Sequence, residues 1–197
     1  MPCCAHPRSP AISMSPMTND LAAALAAPPA AGPLRLEILE ERHRSALRAA
    51  CAEDGEIWAI YPVSYGPDRF DTQFDIILAA AGRINFAVID AGRLVGMTAY
   101  LGLDPAAATV EIGSTYLRPD VRGTGLNRRL KDLMIGHAFA CGITRIVFRI
   151  DDRNARSKAA VEKLGAVREG LMRKDRITWT GHVRDTAIFS ILAGEWS

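Results

Sequence analysis

No apolar run in this 197-residue chain approaches the roughly 18 residues that a membrane-spanning helix needs. Cysteine is scarce as well. The four present, Cys3, Cys4, Cys51 and Cys141, show no CxxC spacing, which excludes a disulfide framework and suits a reducing, cytoplasmic setting. His6, His43, His137 and His182 are scattered, without HxxxH or Cys/His clustering, so no metal site is expected. Charge of one sign is also lacking. A formal net charge of +2 gives no general attraction to nucleic acid or an anionic membrane, and neither is expected as a partner. What remains is 49% apolar and 23% charged, the profile of a single globular domain with a substantial core.

Residues 1–33 are rich in Pro, Ala and Ser without sustained periodicity. They read as a disordered leader to a domain over 34–197. Leu21 to Ala31 has the apolar length of a signal-peptide core. Asp20 before it, Pro28-Pro29 within it and little positive charge upstream argue against a cleaved signal. From Leu34 the alternation Leu34-Arg35-Leu36-Glu37-Ile38 predicts a strand, and Glu40 to Ala52 a helix. Trp58, Tyr61, Tyr65 and Phe70 then crowd a punctuated stretch, suited either to core packing or to the wall of a substrate pocket. A helix follows from about Pro67 to Ala81.

Asn85–Asp90 and Arg93–Leu101 predict a hairpin through Ala91-Gly92, and Thr109–Leu117 a fourth strand. Thr144–Ile150 is apolar enough for a central fifth strand. Asn154–Leu164 reads as a helix closed by Gly165, before an antiparallel pair, Val167–Asp175 and His182–Leu192. This order is a mixed α/β domain.

The stretch Asp120-Val121-Arg122-Gly123-Thr124-Gly125-Leu126-Asn127 joins the fourth strand to a helical pattern running towards Cys141. Glycines at such a junction let backbone N–H groups approach an anion, and the helix behind adds its own unpaired amides. A phosphate or pyrophosphate is the expected ligand. Arg118, Arg122, Arg128, Arg129 and Lys131 cluster around the loop, either as a solvated helix face or as phosphate contacts. A Walker A loop is excluded because no GxxxxGK[ST] occurs. The dinucleotide fingerprint fails too: Arg128 stands where its third glycine belongs, and several strands precede the loop.

Here the sequence resembles the GCN5-related N-acetyltransferase (GNAT) family. That family binds acetyl-CoA through Gln/Arg-x-x-Gly-x-Gly/Ala at a strand–helix junction. The corresponding residues are Asp120 to Gly125, with Asp120 departing from the usual first residue. A second family block, an Asn opening a helix that ends in Leu-Gly, corresponds to Asn154 through Leu164-Gly165. Asn154-x-x-Ser157, Glu169-Gly170 and Arg184-Asp185-Thr186 resemble the RimJ/RimL branch, which includes enzymes acetylating ribosomal-protein N-termini and others acting on small amines.

The resemblance, over residues 34–193, implies a mostly antiparallel central sheet flanked by helices, with splayed fourth and fifth strands. It implies acetyl-CoA as donor, no metal, and an amine acceptor. Many members form homodimers, and no stripe in this sequence marks an interface. It places the pantetheine-binding backbone at Tyr116, Leu117 and Arg118, with the Leu117 N–H as oxyanion donor. It places the pyrophosphate on the amides from Arg122 through Gly123, Thr124, Gly125 and Leu126 to Asn127. Asn154 would hold the pantetheine or fix the helix after it.

Glu111 is the candidate general base. Strict alternation puts it on a face with Gly113, Thr115 and Leu117, opposite Val110 and Ile112. The alternative is a solvent-facing or ion-paired strand residue. The family's frequent tyrosine acid is replaced by Val161. Ser157 is the substitute the branch suggests, unless it merely satisfies a helix N-terminus. The carboxylate that some ribosomal members use in the following strand falls at Arg176.

A site with one base and no tyrosine acid suits an amine of low pKa. At pH 7 roughly 10% of an α-amine is neutral, against about 0.04% of a lysine side chain. Three readings stay open: transfer to a protein N-terminus, transfer to a small amine, or a non-catalytic CoA-binding regulatory module. A peptide requires an open groove between Tyr61–Phe70 and Trp179–Arg184. A small amine requires a closed pocket.

Overall fold

A computed structural model describes residues 16–196. The helices are α1 (Pro16–Ala26), α2 (Arg44–Ala52), α3 (Phe70–Ala79), α4 (Leu126–Ala140) and α5 (Ala155–Glu162). The strands are β1 (Leu34–Ile38), β2 (Arg83–Asp90), β3 (Arg93–Asp104), β4 (Thr109–Leu117), β5 (Arg145–Asp151), β6 (Val167–Ile177) and β7 (Val183–Leu192). With the two-residue strand Ala30–Ala31 on the outer edge of β1, they form an eight-stranded sheet ordered β1-β2-β3-β4-β5-β7-β6. Every neighbouring pair is antiparallel except β4 with β5. This is the mixed, mostly antiparallel sheet flanked by helices that the resemblance implies.

Alternation along the strands divides the core between the two sheet faces. Phe86 and Val88 pack with Leu130, Met134 and Ala138 of α4, while Ala87 and Ile89 pack with Leu47, Phe70 and Phe74 of α2 and α3. The β2–β3 turn forms as expected: Ala91 and Gly92 have φ of 49° and 80°, the paired left-handed conformation that matches strand twist.

The expected leader is structured from residue 16. Pro16–Ala26 is helical, Leu25 is fully buried in the core, and Ala30–Ala31 pairs with Leu34 and Arg35. Alanine is the strongest helix former, and Leu21 and Leu25 lie four apart on one face. Residues 1–15, with Cys3, Cys4 and His6, lie outside the described residues. Among the described residues, no helix is long and apolar enough to cross a membrane, and no His/Cys/Asp/Glu group could hold a metal ion.

Two irregularities shape the site. First, β4 and β5 share only the pairs Thr109↔Arg145, Val110↔Ile146 and Glu111↔Val147, then diverge. Second, β4 carries a bulge, because its pairing with β3 shifts between Met97↔Tyr116 and Ala99↔Gly113, with Ser114 at φ 50°. The bulge overturns the strict alternation expected from sequence. Leu117 packs in the same cluster as Val110 and Ile112, and Thr115 turns towards α4, whereas Tyr116 joins the α2–α3 cluster. One inserted residue reverses which face each later side chain takes.

Gly96 lies opposite Leu117, and a Cβ there would sit 2.0 Å from the Tyr116 carbonyl oxygen and 3.0 Å from the Leu117 Cα. The obstruction is backbone, so it cannot swing away. Gly96→Ala is expected to cost about 3 kcal/mol of unfolding free energy in urea titration. A cost below about 1 kcal/mol would contradict the close approach of β3 to β4.

Candidate active site

The divergence of β4 from β5 opens a cavity of about 570 Å³. Its walls come from β4, β5, the loop around Ile57–Tyr65, the start of α4 and α5.

At one end lies the glycine loop. Gly123 and Gly125 have φ of 80° and 83°, and a Cβ on either would meet nothing within 4 Å. The Arg122 N–H is spent on the Pro119 carbonyl, and the first amide bonded within α4 is that of Arg129, to Gly125. The amides from Gly123 through Arg128 make no hydrogen bond among the described residues. A run of unpaired N–H groups at a helix start is an anion cradle. Thr124 Oγ1 donates to the Val121 carbonyl at 2.8 Å and Leu126 is buried, so both shape the turn. The Arg122 Nε donates to the Leu117 carbonyl at 2.9 Å, its Nη1 pairs with Asp54, and its buried Nη2 has no partner among the described residues. An orphaned guanidinium N–H beside free amides fits the pyrophosphate of CoA. Asp120 turns away to pair with Arg93.

Leu117, Arg122, Gly123, Asn127, Asn154, Ser157 and Glu111 line the cavity; Tyr116, Arg118, Thr124, Gly125 and Leu126 do not. The Tyr116 hydroxyl donates to the Ala50 carbonyl on the opposite face, and the Arg118 guanidinium pairs with Glu53. The backbone phase narrows the pantetheine contact further. Arg118 donates its N–H to Val95 on β3, so alternation turns the Leu117 amide away from β3, into the gap.

Glu111 sits where β4 and β5 part, with a side chain 21% exposed and its Oε2 3.4 Å from Arg149 Nε. Both readings of this residue are therefore present at once, an ion pair and a carboxylate in the cavity. Burial pushes its carboxyl above the ordinary range, while Arg149, Arg176 and Arg184 pull it back. Gly113 gives it room: a Cβ there would lie 2.9 Å from Glu111 Oε1 and 2.8 Å from Leu101 Cδ1.

Asn154 is the N-cap of α5, its Oδ1 accepting from the Ser157 N–H at 2.9 Å. Its oxygen thus fixes the helix. The Ser157 Oγ makes no hydrogen bond among the described residues and faces the cavity. Val161 also lines the cavity and supplies no proton.

Of the aromatic group, Tyr61 and Tyr65 line the cavity while Trp58 and Phe70 pack in the core, and Arg83 and Arg149 are cavity groups that carry no signal in the sequence. The Tyr61 hydroxyl donates to the Thr115 carbonyl at 2.6 Å, and burial holds its pKa up at about 12. Trp179 bridges the two segments that flank the groove expected for a peptide: its Nε1 donates to the Trp58 carbonyl at 2.7 Å and its N–H to the Pro62 carbonyl at 3.1 Å. Arg83, Arg149, Arg176 and Arg184 line the cavity from four different strands. No local motif links them.

Lys131 on α4 is 6% exposed and donates to Thr115 Oγ1 at 2.6 Å. Burial lowers its pKa from 10.5 to about 7. Above pH 7 the unfolded chain therefore holds a proton that the native chain has shed. Stability rises with pH between those two values, and the full penalty applies below the lower one. Lys131→Met is expected to raise stability by roughly 2–4 kcal/mol at pH 6, with the gain shrinking towards pH 10. Denaturant titrations at the two pH values check it; a pH-independent difference would contradict a buried ammonium.

Residues 34–167 match the family model described as an acetyltransferase (GNAT) domain. A GNAT-family protein from Chromobacterium violaceum ATCC 12472 is 30% identical, covering 87% of this chain and 93% of that one at a TM-score of 0.77. Ribosomal-protein-S5-alanine acetyltransferase from Vibrio fischeri shares the fold at 17% identity, with 86% and 98% covered and a TM-score of 0.69. Spermidine N-acetyltransferase from Vibrio cholerae, in complex with CoA and spermine, does so at 18% identity, 84% and 98% covered, TM-score 0.67. A comparison with curated proteins gives no match.

Proposed function

The chain belongs to the GNAT acetyltransferase family, and on that premise we propose that it transfers acetyl from acetyl-CoA to the nitrogen of a small primary amine. One observation carries the reading. The unpaired amides of Gly123–Arg128 lie at the end of a strand that splays from its neighbour, and Glu111 stands in the gap.

The Leu117 N–H, aimed into that gap, suits an oxyanion donor to the thioester carbonyl. Glu111, desolvated and so more basic than an ordinary carboxylate, takes a proton from the attacking amine. A C–N bond forms, the C–S bond breaks, and the sulfur leaves as thiolate. Ser157, with its unbonded hydroxyl on the cavity, stands as the candidate to protonate it. The bridge from Trp179 to Trp58 and Pro62 supports a small acceptor over an extended peptide, which would need that groove open.

The Asn154-x-x-Ser157 and Arg184-Asp185-Thr186 patterns support placement in the RimJ/RimL-like branch. Val167, Leu171, Met172 and Ile177, exposed along the edge strand β6, support a homodimer through that edge. The test follows free thiol from acetyl-CoA across a panel of amines. Amine-dependent release supports the transferase. Saturable CoA binding without release supports the alternative, a non-catalytic CoA-binding module.

A further inference from the structure

Four guanidiniums, from Arg83, Arg149, Arg176 and Arg184, line the part of the cavity around Glu111. Arg149 is paired with Glu111, and Arg176 with Asp175 at 3.1 Å. Neither Arg83 nor Arg184 has a carboxylate within ion-pair distance among the described residues, although Glu111 acts on both through space and Asp151 and Asp175 on Arg184, and neutral groups orient both. Arg83 Nε donates to Asn85 Oδ1 at 2.7 Å and its Nη2 to Ser114 Oγ at 3.1 Å. Arg184, only 4% exposed, donates from Nε to Thr186 Oγ1 at 2.9 Å and from Nη2 to the Arg149 carbonyl at 3.2 Å. In both, Nη1 has no partner among the described residues.

Arginine does not shed its proton, so Arg184 is a charge held under burial and Arg83 one held half-buried. A buried guanidinium without a contacting counter-ion is costly, and an anion arriving from outside relieves that cost. The phosphates of CoA are poorly placed to serve. Their cradle begins beyond the end of β4, and Glu111 lies six residues before that end, about 20 Å back at strand rise. An anion that contacts both guanidiniums is more readily supplied by the other substrate.

We propose that the acceptor is a small primary amine carrying an oxyanion, a carboxylate or a phosphate, that Arg83 and Arg184 bind while its amine lies at Glu111. The inference rests on the small-amine transferase reading above. It also separates this site from one built for a polyamine, whose added cations would meet unpaired guanidiniums. Planar guanidinium forks match both carboxylate and phosphate oxygens, so the shared chemistry is the oxyanion.

The experiment compares matched acceptors: β-alanine with β-alaninamide, O-phosphoethanolamine with ethanolamine, and spermidine. Thiol release reads turnover, and thermal shift in the presence of CoA reads binding separately. The anionic member of a pair is expected to exceed its neutral isostere by about 100-fold in kcat/KM and alone to raise Tm. The pair showing the larger ratio identifies carboxylate or phosphate. Arg83→Gln, on a half-buried side chain that can be changed without risk to the core, is expected to raise KM for the anionic acceptor and collapse that ratio. Arg184→Gln should do the same where it folds. Equal use of neutral isosteres, preferred use of spermidine, or no preference in either readout would overturn the inference. Absence of thiol release with an intact anionic thermal shift would instead sink the transferase reading.

Discussion

Glu111→Gln is expected to lower kcat by about 10²–10⁴-fold with little change in CoA affinity. The substitution keeps the shape and hydrogen-bonding reach of the side chain and removes its negative charge and with it its capacity to accept a proton. The surroundings of Glu111 fit that proposed role. Gly113 leaves space that a Cβ would close, and burial raises the carboxyl above the ordinary 4.5. The acid limb of kcat/KM should therefore fall as pH drops through this raised pKa, and Gln at 111 should abolish the limb.

Stability has the opposite sign. For a carboxyl whose native pKa is raised, its contribution is complete below the unfolded pKa and lost as pH rises through the native one. A purely structural, ion-paired Glu111 makes a different prediction. Arg149→Gln would then mimic Glu111→Gln. If Glu111 is the base, Arg149→Gln instead removes the nearest cation at 3.4 Å and moves the acid limb to higher pH. An unaltered rate in Glu111→Gln removes the residue as base.

Gly123→Val is expected to weaken CoA binding by about 30-fold or more, measured by calorimetric titration. Two effects add. A β-branched residue at φ 80° is strained by about 1–2 kcal/mol, and the side chain enters space that lies open beside the unpaired amides. Binding of pantetheine, which lacks the pyrophosphate, should change little, and a denaturant titration separates the strain from the lost contacts. Equal losses for CoA and pantetheine would remove the loop as the phosphate site.

The donor end of this cavity was legible in sequence because its determinants are local. Gly123, Gly125 and the helix they open lie within one turn of chain, as do Asn154 and the helix it caps. The proposed acceptor end was not. Its arginines stand on β2, β5, β6 and β7, and only sheet register brings them together around Glu111. Trp179 meets Trp58 across 121 residues of sequence, so the bridge it makes carries no local signal. The bulge at Ser114 was hidden for another reason. A serine at φ 50° replaces the glycine that usually announces such a feature, and alternation beyond it was read on the wrong face. The helix Pro16–Ala26 was obscured by composition, since alanine and proline beside a Ser-rich start resemble a linker more than a core-facing helix.

In the proposed mechanism the Gly123–Arg128 amides hold the pyrophosphate of the acetyl donor. Backbone ¹⁵N–¹H spectra recorded during titration with CoA and with pantetheine test it most directly. CoA should shift the Gly123–Arg128 resonances together and saturably, whereas pantetheine should move Leu117 and its neighbours and leave the loop in place. Loop resonances that stay unmoved by saturating CoA would contradict it.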